Sequence, residues 1–223
     1  MQIEEVELYT HDLTALHYFY EHKLGMVVTA TKQEIDIKAG STRLIFRETQ
    51  EGRPYYHFAF NVIPNTFKSI PAWLQGRAEI IKWEGKEVVD FPDWNAQSIY
   101  FLDPVGNIVE FIARYDLPEG SHTEFHESAI LNVSEVGLVA DPVVDTRALL
   151  EDKYGLPVFH RQQPTNEFSP MGDDEGLFIL VTEHRNWFPT NVPCKPFPLD
   201  VTFKDAKGER RNYKPPLPFG HFP

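Results

Sequence analysis

A neutral imidazole and two carboxylates aimed at one point make a donor set for a divalent cation, and three stretches of this chain carry such donors. They are Glu5-Val6-Glu7-Leu8, His57-Phe58-Ala59-Phe60 and Ile108-Val109-Glu110-Phe111. Each stretch alternates apolar with other residues, the pattern of a strand whose two faces meet different surroundings. If Val6 and Leu8 pack on a helix, Glu5 and Glu7 face the other way. By the same rule Phe58, Phe60 and Val62 send His57, Ala59 and Asn61 to the opposite side, and Val109 and Phe111 leave Ile108, Glu110 and Ile112 on a concave side. Hard oxygen donors with one nitrogen suit Fe(II), Mn(II), Ni(II) or Zn(II) and leave positions open for substrate. Arg43 and Arg47 alternate with Leu44 and Phe46, so the same rule aims them toward the cup, where a guanidinium can hold a substrate carboxylate or phosphate. Rim ion pairs are their other reading.

The elements that must position these residues follow a repeated order. A strand through Ile3, Val6 and Leu8 leads to a helix from about Asp12 to His22, with Asp12 as N-cap and Leu13, Leu16, Phe19, Tyr20 and Leu24 on one face. Three strands follow, at Met26–Thr31, Glu34–Lys38 and Thr42–Glu48, completing one β-α-β-β-β unit. A second unit runs from Tyr56–Val62 through a helix at Thr66–Gln75 to strands near Ala78–Trp83, Glu87–Asp90, Gln97–Leu102 and Ile108–Ala113. Beyond a linker at 119–129, Glu135-Val136-Gly137-Leu138-Val139 repeats the character of Glu5-Val6-Glu7-Leu8-Tyr9 at a displacement of 130 residues. Leu199-Asp200-Val201-Thr202-Phe203 then reads as the start of a fourth unit left short. The expected class is α+β, a paired-unit barrel. Its domains would be 1–118, with the metal site, and 130–223, an incomplete copy ending in a Pro-rich tail. In that copy Glu135 and Asp200 stand where Glu5 and His57 stand in the first.

These stretches, with Tyr18-Phe19-Tyr20, Leu24-Gly25-Met26 and the run Ser98-Ile99-Tyr100-Phe101-Leu102-Asp103-Pro104-Val105-Gly106-Asn107, resemble the vicinal oxygen chelate superfamily of glyoxalase I, fosfomycin-resistance proteins, bleomycin-resistance proteins and extradiol dioxygenases. The resemblance implies a glyoxalase-like barrel with metal ligands at Glu5, His57 and Glu110. It also implies a catalytic role for Tyr100, which precedes Glu110 by ten residues as in the ring-cleaving enzymes. The chain departs from the dioxygenase pattern at Glu5, where those enzymes have His, and around Phe91, where they carry an acid/base His. It departs from the glyoxalase pattern near Ile45, which leaves three ligands instead of four.

A formal charge of −12 with interspersed signs disfavours nucleic acid and anionic membrane as partners, which leaves a small-molecule substrate, with a homodimer open. One cysteine, Cys194, fits a reducing, cytoplasmic setting. No Gly-rich phosphate loop, Gly-x-Ser-x-Gly elbow or Cys-x-x-Cys pair suggests other chemistry. The expected function is that of a metal-dependent enzyme of the glyoxalase or dioxygenase type, an oxidoreductase or lyase in which the metal chelates two substrate oxygens as Lewis acid. The rival is a metal-free protein that sequesters small molecules, of the bleomycin-resistance type.

Overall fold

The computed structural model describes residues 1–121 and 123–216. The first unit is strand β1 (Gln2–Thr10), helix α1 (Leu13–Tyr18) extended by a π-helical turn (Phe19–Lys23), then β2 (Val27–Ala30), β3 (Glu34–Ala39) and β4 (Thr42–Glu48). Asp12 caps α1 by accepting from the Ala15 amide at 2.8 Å, and Leu16, Phe19 and Tyr20 form the buried face. The second unit is β5 (His57–Val62), a 3₁₀ turn (Pro64–Ser69) joined to α2 (Ile70–Leu74), β6 (Ile80–Ile81), β7 (Val89–Phe91), β8 (Ala96–Leu102) and β9 (Ile108–Arg114). The helix expected over 66–75 is broken into these two pieces. Pro71 has no amide to donate, so the α-helical ladder starts only beside it.

The third unit holds β10 (Ile130–Val139), α3 (Val143–Tyr154), β11 (Phe168–Asp173) and β12 (Gly176–Val181), and the fourth holds β13 (Asp200–Lys204) and β14 (Arg210–Tyr213). The internal repeat extends to a local irregularity. Register slips between Ile3 and Glu5 in β1 and again between Val133 and Glu135 in β10, positions displaced by 130 residues. A bulge lets two residues oppose one, so Ile3 and Val6, or Val133 and Val136, both reach the core although three positions apart.

Strand pairing departs from the expected division at 118. The second and third units share one eight-stranded sheet, in the order β11-β12-β10-β5-β9-β8-β6 with β7 also paired to β8, and the first and fourth share the other, β14-β13-β1-β4-β3-β2. Thus the residues beyond 130 are split between both sheets, and 1–118 does not close a cup of its own. The sheets pack through their apolar faces into one core, with Phe46 of β4 and Phe58 of β5 at 6.3 Å between ring centroids. Their other faces therefore look in opposite directions. That geometry separates Glu5 from His57.

The turn between β8 and β9 ties the second unit together. Asp103 accepts from the Val105 and Asn107 amides at 3.1 and 3.0 Å, from the Asn107 side chain at 2.7 Å, and from the Tyr20 hydroxyl at 3.1 Å. Gly106, at φ +93°, supplies the backbone conformation that a side chain would strain. Asn107 Oδ1 accepts from the Tyr56 amide at 2.8 Å, which holds the residue before His57. Replacing Asp103 with Ala strands these buried donors, each costing about 1–3 kcal/mol. We expect a loss of about 3 kcal/mol or more in urea unfolding, with no change in net fold by circular dichroism. The Pro-rich segment expected at 215–219 falls from Leu217 onward outside the described residues. No described helix is long and apolar enough to cross a membrane.

Candidate metal centre

Alternation along β5, β9 and β10 sends His57, Glu110 and Glu135 to the concave face of the eight-stranded sheet. They are 6%, 2% and 5% exposed, so water alone does not solvate them. In register Ala59 lies between Glu110 on β9 and Glu135 on β10, and His57 is two residues along the same face. Their donor atoms lie within 4.8 Å of one another, with His57 Nε2 3.6 Å from Glu110 Oε2 and 4.0 Å from Glu135 Oε2.

Each of the three has its far atom engaged. His57 Nδ1 is 3.1 Å from the Ile108 carbonyl, which makes Nδ1 the protonated nitrogen and leaves Nε2 with its lone pair. Glu110 Oε1 accepts from the Ser98 hydroxyl, and Glu135 Oε1 accepts from Arg114. The remaining donor atoms are the three that converge, and Tyr100 hydrogen-bonds Glu110 beside them. Outer partners that orient ligand side chains are how metal centres are pre-arranged. The charge balance fits as well. With His57 neutral, two carboxylates face one guanidinium, so ionising both leaves a buried negative charge that a divalent cation would offset.

Electrostatics reflect that shortfall. Burial lowers His57 to about 4, so the imidazole is neutral near pH 7. Burial, then the charge of Glu135, pushes Glu110 above the ordinary carboxylate range. Burial raises Glu135 too, opposed by Arg114. Arg114 is fully buried between the rings of Trp94 and Phe159, at 5.4 and 5.5 Å, with Asp174 Oδ1 3.8 Å from Nη1.

A cavity of about 250 Å³ opens over these residues, walled by Trp94, Tyr100, Phe168, Ile179, Trp187 and Phe188 among others. Tyr100 is buried on β8, paired in register with Glu110, and burial first and the nearby carboxylates second hold its phenol well above its usual value. Trp187 comes from the irregular segment after β12. Its six-membered ring fills the space over Gly137, where a Cβ would stand 2.4 Å from the indole. The indole ring lies 5.4 Å from that of His57.

The expected set of Glu5, His57 and Glu110 is not assembled. Glu5 sits on the six-stranded sheet, ion-paired to Arg43 at 2.6 Å. Arg43 also holds Asp36, and Arg47 holds Glu7 and Glu34 at 2.9 and 2.6 Å, so both arginines form exposed ladders on that sheet, away from the His57 cavity. Asp200 lies beside them, opposite Glu7. His57, Glu110 and Tyr100 do share the cavity, and Glu135 stands where Glu5 was expected. The signal for Glu135 was present, since it is the counterpart of Glu5 in the repeat; which unit would lie beside β5 was not. Arg114 and Ser98 had no signal beyond their place in apolar strands. Cys194 is a buried free thiol that burial lifts to about 12.

No family model and no curated protein matches the sequence. Solved structures do match the fold. A proposed dioxygenase from Bacillus subtilis subsp. subtilis str. 168 superposes with a TM-score of 0.56 at 16% identity, over 97% of this chain and 86% of that one. Glyoxalase I from Zea mays superposes with a TM-score of 0.54 at 15% identity, over 81% of this chain and 66% of that one. Repeated β-α-β-β-β units, the bulge they share and sheets built from pairs of units together give this chain a glyoxalase-like paired-unit fold, shared with these two solved structures.

Proposed function

We propose that His57, Glu110 and Glu135 hold one divalent cation of the Fe, Mn, Ni or Zn type, and that the protein is an enzyme of glyoxalase-like or dioxygenase-like chemistry acting on a small oxygen-rich molecule. The observation that carries this reading is the engagement of each donor's far atom, which leaves Nε2 and two Oε2 atoms facing one another, with Tyr100 also hydrogen-bonding Glu110 from the cavity side. A bound cation would supply Lewis acidity to two adjacent substrate oxygens.

The chain's own residues do the rest. Tyr100 keeps its proton on Oη at neutral pH; its hydroxyl hydrogen-bonds Glu110 and would turn to donate to a substrate oxygen bound over that carboxylate. Trp94, Trp187 and Phe188 enclose the cavity in apolar surface, which excludes water and strengthens that hydrogen bond. Arg114 pins Glu135 by one oxygen, which presents the other toward His57.

Elemental analysis after anaerobic Fe(II) reconstitution tests the reading, with one equivalent per chain expected. Metal-free protein that still binds small molecules would support the sequestering alternative. Ligation needs deprotonated groups, His57 is already neutral above about 4, and the carboxyl of Glu110 is the one pushed up. Affinity should therefore keep rising above pH ~6.5, the ordinary imidazole value, where a histidine-limited site would level off. A titration series across pH 5–9 reads this directly.

A further inference from the structure

Arginines in this chain are commonly ion-paired: Arg43, Arg47, Arg114, Arg161, Arg210 and Arg211 each hold a carboxylate. Arg185 lines the His57 cavity and has no carboxylate within ion-pair distance among the described residues. Its guanidinium rests 5.0 Å from the centroid of the Phe168 ring, a contact that positions the charge without neutralising it. In a chain of net charge −12 an uncompensated cation in a pocket is a binding feature.

Register places this cation relative to the reacting end. Glu135 pairs with Leu177, and four residues farther along the same strands Val139 pairs with Val181, which in turn pairs with Phe168. Ile179 and Val181 line the cavity between these levels. At about 3.3 Å per residue the two levels are separated by on the order of 13 Å. The cavity thus has buried carboxylates and an imidazole at one level, apolar and aromatic walls along its length, and a half-buried guanidinium near the other level. Trp187 adds a second polar feature, for its buried Nε1 has no hydrogen-bond partner among the described residues.

We propose that the ligand of this cavity is an elongated monoanion. Its flat apolar body would place oxygens at the His57 end and a carboxylate on Arg185 near the far level of the cavity. This rests on the reading of His57, Glu110 and Glu135 as the reacting end. Arg185 is a specificity residue that reads the ligand's far charge, and the aromatic walls read its body. Anions without an apolar spacer, or with one too short, reach only one end.

The test uses the full chain loaded with Zn(II) and calorimetric titration of 4-phenylbutyrate and its uncharged amide 4-phenylbutyramide, with metal content measured in every sample. In the wild type the butyrate should bind about tenfold or more tightly than the amide. Arg185→Gln should remove that preference, and Arg185→Lys should retain most of it. A preference that survives in Arg185→Gln, or no preference in the wild type, overturns the proposal. An Arg185-dependent preference in protein that holds no zinc would sink the metal reading and leave the anion site standing. Zinc bound with no Arg185 dependence would do the reverse.

Discussion

Replacing His57 or Glu135 with Ala should abolish tight metal binding, while replacing Glu5 with Ala leaves it intact. The expectation follows from geometry. Nε2 of His57 faces both Oε2 atoms, so deleting either His57 or Glu135 leaves two donors, and the cation must then take water in the remaining positions. Glu5 is occupied with Arg43 on the other sheet and takes no part. Metal titration of the wild type and the three variants decides this. Loss of ligands to first-row metals costs orders of magnitude in affinity, whereas removing an exposed ion pair changes stability by about 1 kcal/mol at most. Undiminished binding without His57, or loss of binding without Glu5, would show the centre to be elsewhere.

The second large effect is expected on stability. Arg114→Met removes the cation that compensates Glu135 inside the core. Breaking a buried pair on one side costs about 3–5 kcal/mol, because the remaining charge has neither water nor partner. The sign with pH follows from Glu135. Burial already raises its folded value above the unfolded one, and Arg114 opposes that shift. Without Arg114 the folded value rises further, so ionisation works against folding over a wider range. The variant's deficit should grow as pH rises above the raised value that Glu135 has in the folded wild type, and shrink below it. The double variant Arg114→Met with Glu135→Gln should recover much of the loss, since no charge is then stranded. Urea unfolding at pH 5 and pH 8 separates these outcomes, and a deficit independent of pH would mean that Arg114 contributes packing between Trp94 and Phe159 instead.

Sheet content and face assignment were legible in the chain because they depend on near neighbours. Alternation at Phe58, Phe60 and Val62, and at Val109 and Phe111, correctly put His57 and Glu110 on a common face away from the helices. The Asp103–Asn107 turn was legible for the same reason, since its hydrogen bonds close within five residues. The repeat at 130 residues even marked Glu135 as the counterpart of Glu5.

Which units lie side by side was decided only in three dimensions. β1 and β10 carry the same pattern and the same bulge, and a strand edge exposes the same amides and carbonyls whatever its partner. Local pattern therefore does not distinguish pairing β5 with β1 from pairing it with β10. The difference lies in long-range complementarity. The concave residues of β1 are matched by Arg43 and Arg47 of β4 into an exposed ladder of charge. Those of β5 and β9 are buried and need a strand that brings a carboxylate and then Gly137, whose missing side chain admits Trp187. Residue types and their faces were written in the sequence, but the pairing across some 75 residues that sets Glu135, and not Glu5, beside His57 belongs to the tertiary structure.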